Sequence, residues 1–260
     1  MVFKQIFENI NNSNYTFDFT YKKKFYIFKI DNFLDKEAYN FIEKNFPVFK
    51  KDGFKSIDSK YSLSSIEENY KKLLKENSEF LKIHEFFTNQ DLSNYFIKKL
   101  FFKILKSRIN DPQHFFRMFQ LRNFNKPKKT ILYSNLETRV EYSTLEDKSY
   151  INPHTDGVKK MLSLMLYFPE RNNGNEFDQQ KKYGTEFWSA KEKNFRNVHL
   201  RDENEIKNFR EKNTIIYKTN FEKYHLYGFI RNANSWHSVK KIDEDKNFLR
   251  KSININIFFN

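Results

Sequence analysis

The 260-residue chain contains no cysteine, which excludes disulfide bonds and thiolate metal ligands. No apolar run approaches the length of a membrane-spanning helix. Residues 1–14 alternate apolar with charged and amide side chains and lack the continuous apolar core of a signal peptide. We therefore expect a cytoplasmic protein that does not insert into a membrane.

The net charge of +14 raises the question of a nucleic-acid partner, because basic side chains neutralise phosphates. The basic runs at residues 21–24 and 126–129 are short, however. The lysines also accompany many Asn, Ile, Phe and Tyr residues, the set that an AT-rich coding sequence favours. A solvated basic surface accounts for this pattern, and we do not expect a nucleic-acid partner.

The length suits one substantial domain, and we predict a single domain over residues 1–260. Residues 1–114 would form a mainly helical support region that contains one strand, because apolar residues recur there at helical spacing. The elements predicted for this region are a strand over 25–30, a helix capped by Asp35 that ends near Phe46, and helices over 66–87 and 92–109.

From residue 115 onward the apolar period shifts to two, which predicts many short strands. The predicted strands are 115–124, 138–145, 151–156, 161–168, 184–188, 214–218, 224–231, 235–242 and 248–259. Many short strands after a helical half indicate a mainly β, α+β fold, a double-stranded β-helix or jelly roll of the cupin type. The N-terminal helices would buttress this core.

The segment Pro153-His154-Thr155-Asp156-Gly157 carries two candidate metal ligands. On a strand, His154 and Asp156 project to the same face, so both can reach one metal ion. His237 is the candidate third ligand, because a sheet that folds back can close this separation. Two histidines and a carboxylate suit ferrous iron, with the opposite coordination positions open, but the same set also occurs at catalytic zinc.

The last predicted strand alternates strictly, so its polar residues share one face. An inward-facing arginine on that face requires a partner, and its planar fork matches a carboxylate. A dicarboxylate cosubstrate would supply that partner. The residues of the polar face are Arg250, Ser252, Asn254 and Asn256, and those of the apolar face are Leu249, Ile253, Ile255 and Ile257.

These motifs resemble the iron(II)- and 2-oxoglutarate-dependent dioxygenases, within them the prolyl 4-hydroxylase-like branch. The resemblance covers the chain from about residue 115. It rests on HxD at His154 to Asp156, the distal His237, RxS at Arg250 to Ser252, a strand over Lys160 to Phe168, and Gly184-Thr185-Glu186-Phe187-Trp188, which is similar to the family's GTxFY strand.

The resemblance implies a site for Fe(II), 2-oxoglutarate and O2. His154, Asp156 and His237 would be the catalytic metal ligands, and Arg250 and Ser252 would bind the far carboxylate of 2-oxoglutarate. Tyr142, on the strand before HxD, would also contact the cosubstrate. The retained Asp156 argues against halogenation, since halogenases of this family vacate that position for chloride.

The implied reaction is hydroxylation of an unactivated C–H bond with release of succinate and CO2. The substrate would be a peptidyl or amino-acid group similar to proline, or a small metabolite, and the oligomeric state stays open. Two alternatives are a non-catalytic jelly-roll protein that retains a metal site, and a zinc-type hydrolase with the same ligands. The hydrolase would leave Arg250 and Ser252 without a clear purpose.

Simpler explanations exist for individual residues. Taken alone, His154 and Asp156 could belong to a surface turn. Arg250 could be a surface residue on an edge strand, and Tyr142 could be an ordinary aromatic residue of a sheet. The remaining histidines tested for ligand spacing have no partner, so we expect them to be solvent-facing or satisfied; they are His84, His114, His199 and His225. The segments 171–182 and 190–212 follow no pattern of the family, and we expect them to determine the substrate.

Overall fold

The computed structural model consists of two facing β-sheets with the N-terminal helices packed on the outside of the larger one. It describes residues 2–22, 25–47, 56–57, 60–109, 136–169, 181–190, 198–243 and 248–259. The helices in this part of the chain are α1 (Lys4–Asn11), α2 (Lys36–Lys44), α3 (Glu68–Glu76), α4 (Ser78–Thr88), α5 (Gln90–Ile109) and α6 (Glu203–Lys212), with a 3₁₀ turn at Lys181–Tyr183. None of these helices has both the length and the apolar content that crossing a membrane requires.

All strand pairs within the described residues are antiparallel. The strands are β1 (Asp18–Lys22), β2 (Phe25–Ile30), β3 (Ser56–Ile57), β4 (Lys60–Ser64), β5 (Leu136–Leu145), β6 (Ile151–Thr155), β7 (Lys160–Pro169), β8 (Thr185–Ser189), β9 (Val198–His199), β10 (Thr214–Lys218), β11 (Leu226–Ile230), β12 (His237–Val239) and β13 (Arg250–Phe259). The larger sheet has the order β1-β2-β11-β7-β13-β5-β4-β3, and the smaller sheet has the order β10-β8-β12-β6-β9.

The path of the chain between the sheets identifies the fold. Strands β5, β7, β11 and β13 lie in the larger sheet, whereas β6, β8, β10 and β12 lie in the smaller one. The chain therefore winds back and forth between two facing sheets, which is the arrangement of a jelly roll. The predicted fold class, a double-stranded β-helix with buttressing N-terminal helices, is confirmed.

The N-terminal region differs from the sequence prediction in two respects. The helix predicted over 66–87 is two helices, because the side chain of Asn77 accepts hydrogen bonds from the amides of Glu79 (3.0 Å) and Phe80 (2.9 Å) and caps α4. The region also contributes β1 to β4 to the edges of the larger sheet, where one strand was expected. Asp35 caps α2 as predicted, with the Ala38 amide 2.8 Å from its carboxylate.

Most of the other predicted helices and strands are confirmed. The helix expected over 92–109 is α5, and the strands expected from 138 onward correspond to β5 to β8 and β10 to β13. The strand expected over 115–124 lies outside the described residues. Helices α1 and α6 and the short strand β9 were not predicted.

The alternation along β13 divides the interior into two layers. Ile253, Ile255 and Ile257 pack with the helices in one hydrophobic cluster. Arg250 and Ser252 project from the opposite face, toward the smaller sheet. The second cluster, between the sheets, contains side chains from the same inward face, among them Leu145, Met165 and Tyr167, together with Phe187 of the smaller sheet.

A glycine in β11 permits close packing of a buried ring. A Cβ atom on Gly228 would lie 2.3 Å from Cζ of Phe28, on the neighbouring strand β2. We expect Gly228→Ala to lower the free energy of unfolding by about 1–3 kcal/mol, because the ring must shift within a packed layer. Urea denaturation measures this loss, and adding Phe28→Leu should recover part of it. An unchanged unfolding midpoint for Gly228→Ala would contradict the close approach.

Candidate active site

The structure brings His154, Asp156 and His237 together on adjacent strands of the smaller sheet. His154 lies opposite His237 in the register of β6 and β12, and Asp156 follows the end of β6. One ligand atom from each residue lies within 4.8 Å of those of the other two. The His237 ring also contacts Phe187 and Phe229 of the layer between the sheets, with ring centroids 6.2 and 4.9 Å away. The cluster therefore faces the space between the sheets.

Backbone carbonyls set the tautomer of both histidines. Nδ1 of His154 lies 2.9 Å from the carbonyl oxygen of Asn152, and Nδ1 of His237 lies 2.9 Å from that of Ser235. A carbonyl only accepts, so each Nδ1 carries the proton and each neutral ring keeps the lone pair on Nε2. Burial lowers the pKa of both rings below the ordinary value of 6.5, and for His154 the neighbouring His237 lowers it further. Neutral imidazoles oriented by a second hydrogen bond are the form that binds metal.

Asp156 completes the cluster as an ionised carboxylate. Its Oδ1 lies 2.8 Å from Nζ of Lys160, and its Oδ2 lies 3.8 Å from Nε2 of His237. Burial alone would raise the pKa of Asp156, but Lys160 and the two histidines hold it below its ordinary value of 3.8. With Oδ1 engaged by Lys160, Oδ2 is the oxygen that faces the histidines. The donor set fits a divalent metal bound on one face.

Arg231 holds the backbone of the metal-ligand segment. Its fully buried guanidinium donates from Nε and Nη2 to the carbonyl oxygen of Asp156, at 3.0 and 2.8 Å. Sequence reasoning missed this residue, because its partner lies far away in the chain and no local pattern marks it. Arg231 therefore holds the backbone of the loop after β6 and, through it, positions the Asp156 side chain.

Arg250 lies at the start of β13 and is 2% exposed. Its Nε donates to the carbonyl oxygen of Tyr183 at 2.7 Å, and Nη1 donates to Oγ of Ser252 at 3.3 Å. The guanidinium carbon also lies 5.1 Å from the ring centroid of Tyr167. Burial lowers the pKa of Arg250 below its ordinary value, although an arginine keeps its charge at neutral pH.

No Asp or Glu within the described ranges pairs with this guanidinium. A buried charge without a counter-charge is costly, so the position is suited to a carboxylate brought by a ligand. Polar side chains surround it: Ser252 Oγ lies 2.8 Å from Ser143 Oγ, and Tyr167 Oη lies 2.8 Å from Thr185 Oγ1. These polar groups could accompany Arg250 in binding one carboxylate of a ligand.

Gly184 allows two backbone segments to approach each other closely beside Arg250. A Cβ atom there would lie 1.7 Å from the carbonyl oxygen of Thr219. The close approach lets the Thr185 amide donate to Oγ1 of Thr219 at 2.7 Å, and the same hydroxyl lies 2.9 Å from Tyr167 Oη. Gly184-Thr185 thus joins β8 to the segment after β10 beside Arg250.

The expectation that Tyr142 contacts the cosubstrate is corrected by the structure. Tyr142 lies opposite Ile253 in the pairing of β5 with β13, so it projects to the helix side. Its ring packs against Phe46 and Phe80, with centroids 5.2 Å away in each case. The neighbouring Ser143 faces Arg250's side of the sheet instead.

Among the remaining histidines, His199 is the one that the structure brings to the cluster. His84 lies 3.0 Å from the Tyr70 hydroxyl, and His225 lies 2.9 Å from the Asp31 carboxylate, both away from the cluster. His114 lies outside the described residues. His199 in β9 instead stacks on the ring of His154, with centroids 4.5 Å apart. Sequence spacing gave no sign of this contact.

The structure describes only part of the two segments that were expected to determine the substrate. Residues 170–180 and 191–197 lie outside it. In the rest of the 190–212 segment, β9 borders β6, whereas α6 places Phe209 against Trp236 and Trp188, with ring centroids 4.7 and 5.7 Å away. Since Trp236 alternates with the inward-facing His237, α6 covers the outer face of the smaller sheet.

The contact between Arg231 and Asp156 yields a testable expectation. We expect Arg231→Met to weaken divalent-metal binding about 10-fold, because the ligand segment loses its anchor. The free energy of unfolding should also fall by about 1–3 kcal/mol, because the Asp156 carbonyl is left without these two donors. Calorimetric titration with Mn²⁺ and urea denaturation measure the two effects. Metal affinity equal to that of the unsubstituted protein would show that Arg231 does not position Asp156.

Comparisons with known proteins place the chain beside oxygenases at low similarity. No family model and no curated protein matches it. The similar solved structures include the non-heme α-ketoglutarate-dependent carbocyclase SnoK from nogalamycin biosynthesis, with 10% identity, 90% of this chain and 79% of that chain covered, and a TM-score of 0.47.

Two further solved structures cover nearly the whole chain. A 2OG-Fe(II) oxygenase family oxidoreductase from Burkholderia pseudomallei has 7% identity, covers 98% of this chain and 88% of its own, and has a TM-score of 0.43. A prolyl-4-hydroxylase from Pseudomonas putida has 10% identity, covers 98% and 100%, and also has a TM-score of 0.43. Similarity at this level assigns no reaction, substrate or metal to this chain.

Proposed function

We propose that this protein is an Fe(II)- and 2-oxoglutarate-dependent dioxygenase that hydroxylates an unactivated C–H bond and releases succinate and CO2. The observation that carries the proposal is the buried guanidinium of Arg250, which has no acidic partner among the described residues and faces the same space as the His154, Asp156 and His237 cluster. A metal site alone does not require a buried arginine without an acidic partner. A dicarboxylate bound to the metal would require such an arginine as the partner of its far carboxylate.

The three ligands would occupy one face of the metal. His154 and His237 would bind through Nε2 and Asp156 through Oδ2, because Lys160 already engages Oδ1. A single carboxylate oxygen leaves the opposite positions open for cosubstrate and oxygen. Iron(II), when bound, supplies the activation of oxygen that drives oxidative decarboxylation of 2-oxoglutarate.

Arg250 would bind the far carboxylate of 2-oxoglutarate, with the Ser252 hydroxyl beside it. The contacts of Arg250 with Tyr183 and Ser252 fix the fork before a ligand arrives, so little side-chain freedom remains to be lost on binding. The rings of Tyr167 and Phe221 pack over the guanidinium and limit its contact with water. The protein's share in the reaction is therefore positioning and the exclusion of solvent.

The inward face of β13 extends beyond what the cosubstrate needs. Six residues of strand separate Arg250 from Asn256, about 20 Å, whereas the carboxyl carbons of 2-oxoglutarate lie about 5 Å apart, given carbon–carbon bonds of about 1.5 Å. Near the Asp156 end, Ser163 donates to Oδ1 of Asn256 at 2.9 Å, and the Asn256 side-chain amide nitrogen has no partner among the described residues. Asn254 lies between, 3.4 Å from Glu141.

This polar surface supports a substrate with hydrogen-bonding groups near the oxidised carbon. An amino acid, a peptide or a hydroxyl-bearing small metabolite would satisfy the Asn256 amide, whereas a plain hydrocarbon would leave it buried without a partner. Proline-like and small-metabolite substrates both meet this condition. The surface therefore favours polar substrates without choosing between those two groups.

The competing functions explain fewer of the contacts. A zinc-type hydrolase could use the same three ligands, and a non-catalytic jelly-roll protein could retain the metal alone. Neither gives a purpose to a charged arginine buried without a carboxylate. The oxygenase function gives a purpose to Arg250, Ser252 and the three metal ligands together.

Substitution of Arg250 separates cosubstrate binding from metal binding. We expect Arg250→Met to weaken 2-oxoglutarate binding to the Mn²⁺-loaded protein by at least about 100-fold, because one partner of a buried charge pair is lost. Mn²⁺ affinity should stay within about threefold, since Arg250 contacts none of the three ligands. Calorimetry under anaerobic conditions measures both, with Arg250→Lys as the charge-preserving control. Equal 2-oxoglutarate affinity in all three proteins would contradict the assignment.

Loading the protein with iron tests the proposal as a whole. Anaerobic Fe(II) followed by 2-oxoglutarate should produce the weak visible charge-transfer band of the chelate, and His154→Ala should abolish it because a metal ligand is missing. The band is read by absorption spectroscopy. With O2 admitted, succinate should form, faster when a suitable polar substrate is present. Absence of the band in the unsubstituted protein, despite bound iron, would favour the hydrolase or the non-catalytic alternative.

A further inference from the structure

Three histidines stand side by side on neighbouring strands of the smaller sheet. His237 in β12 lies opposite His154 in β6, and His154 lies opposite His199 in β9. Residues directly opposite each other in antiparallel strands project to the same face. His199 therefore shares the face of the metal-ligand cluster, although the cluster itself, among the described residues, consists of His154, Asp156 and His237.

The geometry of His199 suits stacking and not coordination. Its ring is nearly parallel to that of His154, with an interplanar angle of 12° and centroids 4.5 Å apart. The lone pair of an imidazole lies in the ring plane, so a metal in the plane of His154 lies outside the plane of a parallel neighbour. His199 is thus placed beside the ligand and turned away from the metal that His154 would bind.

We propose that His199 is a positioning residue for the metal centre, an inference that rests on the proposed function. The hydrogen bond from Nδ1 of His154 to the Asn152 carbonyl orients the ring, but small rotations about the Cα–Cβ and Cβ–Cγ bonds can occur without breaking it. The stacked ring of His199 opposes these rotations and keeps Nε2 of His154 directed toward the shared metal position. Offset or parallel aromatic contacts of this kind are stabilising.

The segment that carries His199 is attached to β6 on both sides of the stack. The amide of Val198 donates to Oγ1 of Thr155 at 3.4 Å, and the amide of Leu200 donates to the carbonyl oxygen of Pro153 at 3.3 Å. Further along the segment, Phe209 of α6 packs on Trp236, next to His237 in the chain. The 198–212 part of the chain therefore contacts the neighbourhoods of both histidine ligands.

The test is titration of the metal-free protein with Co²⁺, followed by calorimetry and by visible absorption, which reports the coordination of Co²⁺. Four variants are compared with the unsubstituted chain: His199→Ala, His199→Leu, His199→Phe and His225→Ala. The leucine variant fills the space without a ring, and phenylalanine restores the stack without a nitrogen ligand. His225 lies beside Asp31, away from the cluster, and is the matched histidine control.

We expect His199→Ala and His199→Leu to bind Co²⁺ about 10-fold more weakly, as is typical when a residue that orients a ligand is lost. His199→Phe should stay within about threefold of the unsubstituted protein, and His225→Ala should be unchanged. The Co²⁺ spectrum of His199→Phe should keep its unsubstituted shape.

Other results would overturn the inference in distinguishable ways. Affinity equal to that of the unsubstituted chain in His199→Ala and His199→Leu would show that the stack positions nothing. Equal loss in all three His199 variants, with an altered spectrum in His199→Phe, would make His199 a direct ligand. Failure of the unsubstituted chain to bind Co²⁺ or Mn²⁺ would remove the metal site itself, and with it the proposed function.

Discussion

The alternation of side chains along β13 is the constraint on which the arrangement of this molecule depends. The strand lies between β5 and β7 near the middle of the larger sheet, and its two faces are covered by the helices and by the smaller sheet. One face carries isoleucines that pack with the helices, and the other carries Arg250, Ser252, Asn254 and Asn256 toward the smaller sheet. A shift of one residue in the pairing would exchange the two faces and bury the polar side chains among the helices. The packing of the isoleucines against the helices therefore determines which side chains of β13 face the smaller sheet.

The two buried arginines have different hydrogen-bond partners. Arg231 donates two hydrogen bonds to one backbone carbonyl, that of Asp156, and so holds a loop of its own chain. Arg250 donates to a carbonyl and a hydroxyl but meets no carboxylate among the described residues. Arg231 is thus engaged by the backbone of the metal-ligand segment, whereas Arg250 lies beside a hydroxyl group, where the carboxylate of a ligand could supply a counter-charge.

The sequence predicted the periodic features well because they are local. Strict alternation located most of the core strands, HxD and the distal histidine named three residues whose ligand atoms lie together, and RxS named two hydrogen-bonded residues on the inward face of β13. Asn77 escaped prediction because a local cap interrupts a helical apolar pattern without changing its period. Tyr142 was misplaced because the face of a strand residue depends on how that strand pairs with another. Arg231 and His199 act on residues distant in the chain, which no local pattern reveals.

The pairing of β6 with β12 has a thermodynamic consequence. His154 and His237 are far apart in the chain and become neighbours only when these strands pair. A metal ion held by both would bind the folded chain and not the unfolded one. Its binding would therefore act as a crosslink across the smaller sheet, and the stability of the folded state would rise with the concentration of free metal.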